Sequence, residues 1–147
     1  MRKIQYVAMV FACVALFLGS QCVSQNEQPS TLRYTPAPKV SSLTEPAYTQ
    51  IIAKQMDWEA EVRTSIGTRC DLVSDTLAIE VEWPSKPYEA VGQSLSYAQL
   101  LDKQPAILFL QRDQSDRKFV QDRVGKVCDR LAIQIIWYDV PSKKIIQ

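Results

Sequence analysis

The sequence predicts an α/β domain with a mixed central β-sheet flanked by helices, in the order helix, three strands, helix, strand, helix, strand. Three observations carry that prediction. Three short β-patterned runs succeed one another between residues 61 and 83, with only turns between them, so they form an antiparallel meander. Two later apolar runs, at 106–110 and 133–140, each follow a segment of helical period, and a strand reached through a helix joins its sheet in parallel by a right-handed crossover. The chain has 147 residues, 46% of them hydrophobic, which is enough for one domain with one core.

The chain begins with a segment of a different kind. Arg2 and Lys3 precede an uncharged apolar run from Tyr6 to Leu18, and the mostly small residues Gly19 to Ser24 follow. That is the order of a secretory signal peptide, so residues 1–24 are assigned to a cleaved leader and the protein to an exported, periplasmic or secreted location. The run is shorter than the roughly 20 residues that cross a bilayer, so no stable membrane span is expected after cleavage. Gly19 and Ser20 precede Cys22 as a lipid-attachment site would require, but Gln21 stands where a small residue is expected, which favours simple cleavage. Residues 25–44 are rich in Pro, Ser, Thr and Gln without helical period, and read as a flexible linker to a domain at 45–147.

Within the domain, Thr44 is placed to cap a helix from about Glu45 to Trp58, with Pro46 tolerated in its first turn. Tyr48, Ile51, Ile52, Gln55 and Trp58 fall near one stripe, which should face the sheet. A first strand is expected at Glu61–Ile66, with Gly67 in a tight turn. A second is expected at Arg69–Val73, and a third at Leu77–Trp83 after the turn Ser74–Thr76. Pro84, Ser85 and Pro87 stop that strand. A helix from about Tyr88 to Leu101 then presents Val91, Leu95, Ala98 and Leu101, with Gly92 and Ala98 allowing close approach to the sheet. The continuous apolar run Ala106–Leu110 reads as a central strand buried on both faces. Ser115 is expected to cap a helix over Asp116–Leu131, with Phe119, Val120, Val124, Val127 and Leu131 inward. Arg123, Lys126 and Arg130 share one side of it, either as a solvated face balanced by Asp122 and Asp129 or as phosphate contacts. Ile133–Val140 closes the sheet, and the tail beyond it carries no assignment.

Composition limits the chemistry. There is no His, which removes Ser-His-Asp triads, Cys-His dyads and His-ligated metals. Without the leader the chain loses two of its 17 basic residues and none of its 16 acids, for a formal charge of −1. A protein that coats nucleic acid by charge alone is therefore excluded, and any such contact must be local. Cys70 and Cys128 are the cysteines outside the leader. Export allows a disulfide between them, although a pair of buried free thiols is the favoured reading.

The remaining options are carboxylates, Lys, Tyr and Ser, and residues 68–97, TRCDLVSDTLAIEVEWPSKPYEAVGQSLSY, concentrate them. Asp71 lies on the second strand. Glu80 and Glu82 lie two apart on the third and so share one face, while Leu77, Ile79, Val81 and Trp83 share the other and can form a core. Carboxylates drawn into a core lose hydration and repel one another unless a cation offsets both costs, and oxygen ligands of this kind suit Mg²⁺. The same alternation also fits a strand with one wet face, so the pattern alone leaves both readings open.

The order of Asp71, then Glu80-x-Glu82, then Lys86 and a helix carrying Gln93-x-x-x-Tyr97 resembles the PD-(D/E)XK nuclease superfamily. In particular, AIEVEWPSKPYEAVGQSLSYA is similar to small exported prokaryotic members of it. The likeness covers roughly residues 45–140. It implies a restriction-endonuclease-like αβββαβ core, with acids on its second and third strands, and Mg²⁺- or Mn²⁺-dependent hydrolysis of nucleic acid. It also implies roles for individual residues. Asp71, Glu80 and Glu82 would be the metal-binding acids, with the Val81 carbonyl as a further oxygen. Lys86 would be a displaced catalytic lysine, since Glu82 stands where the family usually has Lys. Gln93 and Tyr97 would face the site from the helix, and Glu45 would be a supporting acid on the first helix, with Glu59 and Glu61 as alternatives. The competing expectation is an exported binding or structural module that keeps the scaffold without catalysis.

Overall fold

The computed structural model describes residues 43–146, so the leader, Cys22 and nearly all of the linker lie outside the described residues. Helix α1 spans Glu45–Met56. Strands β1 (Glu59–Arg63), β2 (Arg69–Val73) and β3 (Leu77–Glu82) follow, then α2 (Pro87–Leu101) and β4 (Gln104–Gln111). A third helical segment is α3 (Gln114–Val120), a π turn (Gln121–Gly125) and α4 (Lys126–Arg130) in succession. Strands β5 (Gln134–Asp139) and β6 (Lys144–Ile146) are the last elements among the described residues. All six strands form one sheet in sequence order. The first three pair antiparallel, β3, β4 and β5 pair in parallel, and β6 returns antiparallel on β5. The mixed sheet of an antiparallel meander with parallel additions is therefore as expected. β6 is an edge strand drawn from the unassigned tail.

Several local expectations are corrected. Thr44 is the N-cap of α1, but it acts through its carbonyl, which accepts from the N–H groups of Ala47 and Tyr48 at 3.1 Å each, and its side chain makes no cap bond. α1 stops at Met56 because Asp57 turns left-handed (φ 55) and sends its N–H back to Ala53. β1 begins two residues earlier than expected, at Glu59. The cap of α3 is Asp113, whose carboxylate accepts from the Ser115 N–H at 2.7 Å. The π turn inserts an extra residue per turn, which resets the helix's inward stripe to Val120, Val124 and Cys128. Val127 and Leu131, expected inside, are 42% and 46% exposed. On α2 the buried positions are Pro87, Ala90, Ser94, Tyr97 and Ala98, while Gly92 is exposed with nothing within 4 Å of where a Cβ would stand. Gly92 therefore serves no close approach.

The sheet has apolar cover on both faces. On one, Tyr48, Ile52 and Ala53 of α1 meet Leu72, Ile79, Val81, Leu108 and Leu110, with Leu77 and Trp83 at the margin. On the other, Ala90 of α2 and Val120, Val124 and Cys128 of the third helical segment cover Ile107, Phe109 and Trp137. The run Ala106–Leu110 is wholly buried, as a central strand between two helical layers must be. Cys70 and Cys128 are both free and buried, in different apolar clusters. No helix among the described residues is long and apolar enough to cross a membrane.

One irregularity positions the acids. Glu61, inside β1, has φ 58, a left-handed conformation that costs a non-glycine residue roughly 1–2 kcal/mol. Ala60 and Leu72 pair and pack on the α1 side, whereas the next pair, Val62 and Cys70, packs on the α2 side. The β1–β2 ribbon thus changes face at Glu61 and Asp71. β2–β3 backbone pairing stops at Leu72–Ile79, and beyond it the Asp71 side chain takes the Val81 N–H at 2.9 Å.

Candidate functional site

β3 alternates as its sequence demands. Leu77, Ile79, Val81 and Trp83 belong to the core under α1. Glu80 and Glu82 point the other way, yet they are 5% and 4% exposed, because α2 covers the face they share. The wet-face reading of these glutamates therefore does not hold.

Four carboxyl groups gather here, from three elements. Asp71 comes from β2, Glu80 and Glu82 from β3, and Glu45 from the first turn of α1. Burial comes first in raising the Glu80 carboxyl to about 9, followed by the charges of Asp71, Glu82 and Glu45 and a hydrogen bond with Asp71. Glu45 is pushed up to about 8, again first by burial, then by the charge of Glu82 and a hydrogen bond with it. Asp71 is raised by burial against the lowering effect of the Val81 N–H, with Glu61 and Glu82 adding repulsion. Side-chain hydrogen bonds link these acids in pairs, Glu80 with Asp71 and Glu45 with Glu82. The Glu80 Oε2 is buried and meets no hydrogen-bond donor among the described residues.

Cationic and neutral groups surround the acids. Lys86, at the junction of β3 and α2, places its Nζ 3.8 Å from a Glu82 oxygen and 3.8 Å from Glu89. The other Glu82 oxygen accepts from the Trp83 N–H at 2.7 Å. From α2, the Gln93 amide hydrogen-bonds the Tyr97 hydroxyl, and burial, followed by the charges of Glu80 and Asp71, raises that hydroxyl to about 12. The Gln93 Oε1 is buried without a partner among the described residues. Beneath the acids, the Cys70 thiol donates to the Leu72 and Ile79 carbonyls at 3.3 and 3.6 Å. Burial is the first cause that pushes it up to about 12, which makes it an inert thiol.

All seven residues singled out in the sequence therefore belong to one neighbourhood. Of the three candidate supporting acids, Glu45 joins the cluster, and Glu61 reaches Asp71 by charge while paired with Arg69 at 2.7 Å. Glu59 sits exposed at the start of β1.

The fit of a metal ion can be judged from these atoms. Among the described residues, no three Cys, Asp or Glu side chains converge closely enough to hold one together. Both Glu82 oxygens are engaged elsewhere, by Trp83 and Lys86. Asp71 and Glu80 form an adjacent pair of hard oxygen donors, and the buried Glu80 Oε2 meets no donor among the described residues. That suits a small divalent cation held by two carboxylates with water in the rest of its shell, which is how Mg²⁺ is commonly held.

Sequence reasoning missed a second polar group, at the C-terminal edge of the parallel strands. The only signal for it is the polar string Gln111–Arg117 directly after a wholly apolar strand. Gln111 is buried. Its Oε1 accepts from the Arg117 Nε at 2.5 Å, and its Nε2 donates to Asp139 at 3.3 Å. Asp139 also accepts from the Ser142 N–H at 2.9 Å and from the Ser142 hydroxyl. The Arg117 guanidinium lies 5.3 Å from the Trp137 ring centroid, and Arg112 lies 4.0 Å from that of Trp83. The buried Asp116 accepts from the Arg112 N–H at 2.8 Å and ties down the turn between β4 and α3.

Fold and site together define a mixed α/β protein with a buried, hydrogen-bonded carboxylate cluster at the join of its antiparallel and parallel strands. A scan against protein-family models and searches of curated proteins and of solved structures return no match to this chain.

Proposed function

We propose that this protein is a metal-dependent nuclease of the PD-(D/E)XK superfamily that hydrolyses phosphodiester bonds in nucleic acid and acts outside the cytoplasm. The observation that carries the reading is Glu80, a carboxyl buried beside three other acids with an oxygen that meets no donor among the described residues. A chain selected for stability alone gains nothing from such a residue, because an apolar side chain there would remove both the desolvation and the repulsion. The element order α1, β1, β2, β3, α2, β4, with acids on the second and third strands, agrees with the αβββαβ core that the resemblance implies.

In this reading Asp71 and Glu80 hold the cation, with the Val81 carbonyl as a further oxygen. When bound there, Mg²⁺ or Mn²⁺ supplies positive charge that acidifies water and offsets charge developing on the phosphoryl oxygens. Glu82 and Lys86 act as a pair. The carboxylate accepts a proton from the attacking water, and the ammonium, 58% exposed, steadies the phosphate as negative charge grows on it. Gln93, hydrogen-bonded to Tyr97, keeps an Oε1 without a partner among the described residues, which would accept from a water molecule in the site. Glu45, raised to about 8 first by burial and hydrogen-bonded to Glu82, limits the charge the cluster carries before the cation enters.

A second reading, an exported binding module without catalysis, draws on the same geometry. Glu82 stands in the place of the usual Lys, and no three acids converge. Incubating the purified domain with DNA and RNA in Mg²⁺ or Mn²⁺, beside Glu80→Ala, separates the two. The nuclease reading expects cation-dependent degradation lost by at least about a hundredfold in the variant, the range for removing a transition-state charge stabiliser. No degradation of either nucleic acid, together with no rise in melting temperature on adding the cation, leaves the inert module.

A further inference from the structure

We propose that Arg117, fixed by Gln111, holds a backbone phosphate of the nucleic acid at the C-terminal edge of the sheet, to one side of the acid cluster. This inference rests on the nuclease reading and extends it to how the substrate lies.

The placement follows from register. Glu82 pairs with Phe109, and Phe109 with Trp137, so these three side chains form one row across β3, β4 and β5 on the α2 face. Gln111 lies two residues beyond Phe109 and therefore on that same face. Arg117 stands over Trp137, two strands from Glu82, a lateral separation of about 10 Å at ~4.8 Å per strand. Ligands of open α/β sheets bind where parallel strands end, and the acids and Arg117 both lie toward that edge.

The way Arg117 is held is the second observation. Its Nε is tied to a neutral amide, not to a carboxylate, and no ion pair within 4.0 Å is formed by Arg117 among the described residues. Asp139, which interacts with the Arg117 charge, has its oxygens committed to Gln111 and Ser142. Burying Gln111 requires that its amide be fully bonded, and that requirement fixes the guanidinium in turn. The positive charge, which Asp139 feels at a distance, is thus oriented without being locked into an ion pair, and the terminal nitrogens retain the fork that matches a phosphate. A guanidinium meant only to pack on Trp137 would need no such relay.

The test uses Glu80→Gln as the background, so that substrate is bound but not cut. Binding of a fluorescein-labelled single-stranded DNA 12-mer, and of RNA of the same sequence, is followed by anisotropy from 50 to 200 mM salt. Adding Arg117→Gln is expected to weaken binding several-fold at the low-salt end and to lower the slope of log K against log salt by about 0.7, one phosphate contact on a single strand. Arg117→Lys should restore most of the slope. Gln111→Leu, which leaves the charge in place but loosens it, should weaken binding with the slope unchanged. Melting temperature is recorded for each variant, since a packing role would lower it without touching the slope. Nucleic acid bound with the same affinity and slope in Arg117→Gln overturns this proposal and leaves the nuclease reading standing. No binding of either oligonucleotide by the background protein overturns both.

Discussion

At the scale of single residues, Glu80 decides the account. Its carboxyl is raised from 4.5 to about 9 when folded, chiefly by burial and then by Asp71. A carboxyl whose folded value stands above its unfolded one binds its proton more tightly in the native chain. It contributes stability that is fully present below about pH 4.5 and is lost as pH rises through about 9. Glu45, raised to about 8, acts in the same direction. The melting temperature in EDTA is therefore expected to fall steadily from pH 5 to pH 9. Glu80→Gln mimics the protonated form, so it should flatten that fall and melt several degrees higher than wild type at pH 8, at roughly 4–8 °C per kcal/mol relieved. A wild-type melting temperature that is flat or rising over this window would contradict the buried acid pair. The sequence made both glutamates visible as one face of β3, but it could not say that α2 would lie on that face. Burial is set by the helix and not by the strand carrying the acids.

At the scale of elements, two glycines separate backbone need from packing need. Gly67 has φ +87 in the β1–β2 turn, so Gly67→Ala should destabilise by about 1 kcal/mol even though space for a methyl exists. Gly92 is helical, exposed and surrounded by open space, so Gly92→Ala should stabilise by about 0.5–1 kcal/mol. Urea denaturation of the two variants measures both. The same contrast explains what was legible. Turn and strand positions near Gly67 follow from local chemistry, and β2 is found at Arg69–Val73 as expected. The inward face of the last helix was misread because a π turn at Gln121–Gly125 shifts the stripe, and period counting assumes a constant 3.6 residues per turn. β6 was missed because a three-residue edge strand has too little pattern to stand apart from a tail.

At the scale of the whole molecule, the order of elements was readable because a meander and two helix-linked strands admit few sheet arrangements. The site was readable as a set of residues but not as a geometry. Asp71 reaches Val81 through a change of face at Glu61 that no propensity marks, and the Gln111–Arg117 relay depends on strand ends meeting across the sheet. The three apolar clusters are all built on the one sheet. A chain beginning at residue 25 should therefore unfold in one cooperative calorimetric transition. Two resolved transitions would show that the β1–β2 ribbon is a separate unit.

The central claim is that Asp71 and Glu80 form a cation site, and the most direct measurement is the anomalous scattering of Mn²⁺ soaked into crystals of the domain at pH 8. The account predicts one strong peak bridging an oxygen of Asp71 and an oxygen of Glu80, absent from Glu80→Gln crystals soaked in the same way. Saturating Mn²⁺ with no density between these two carboxyls, or density only at surface acids, would contradict it.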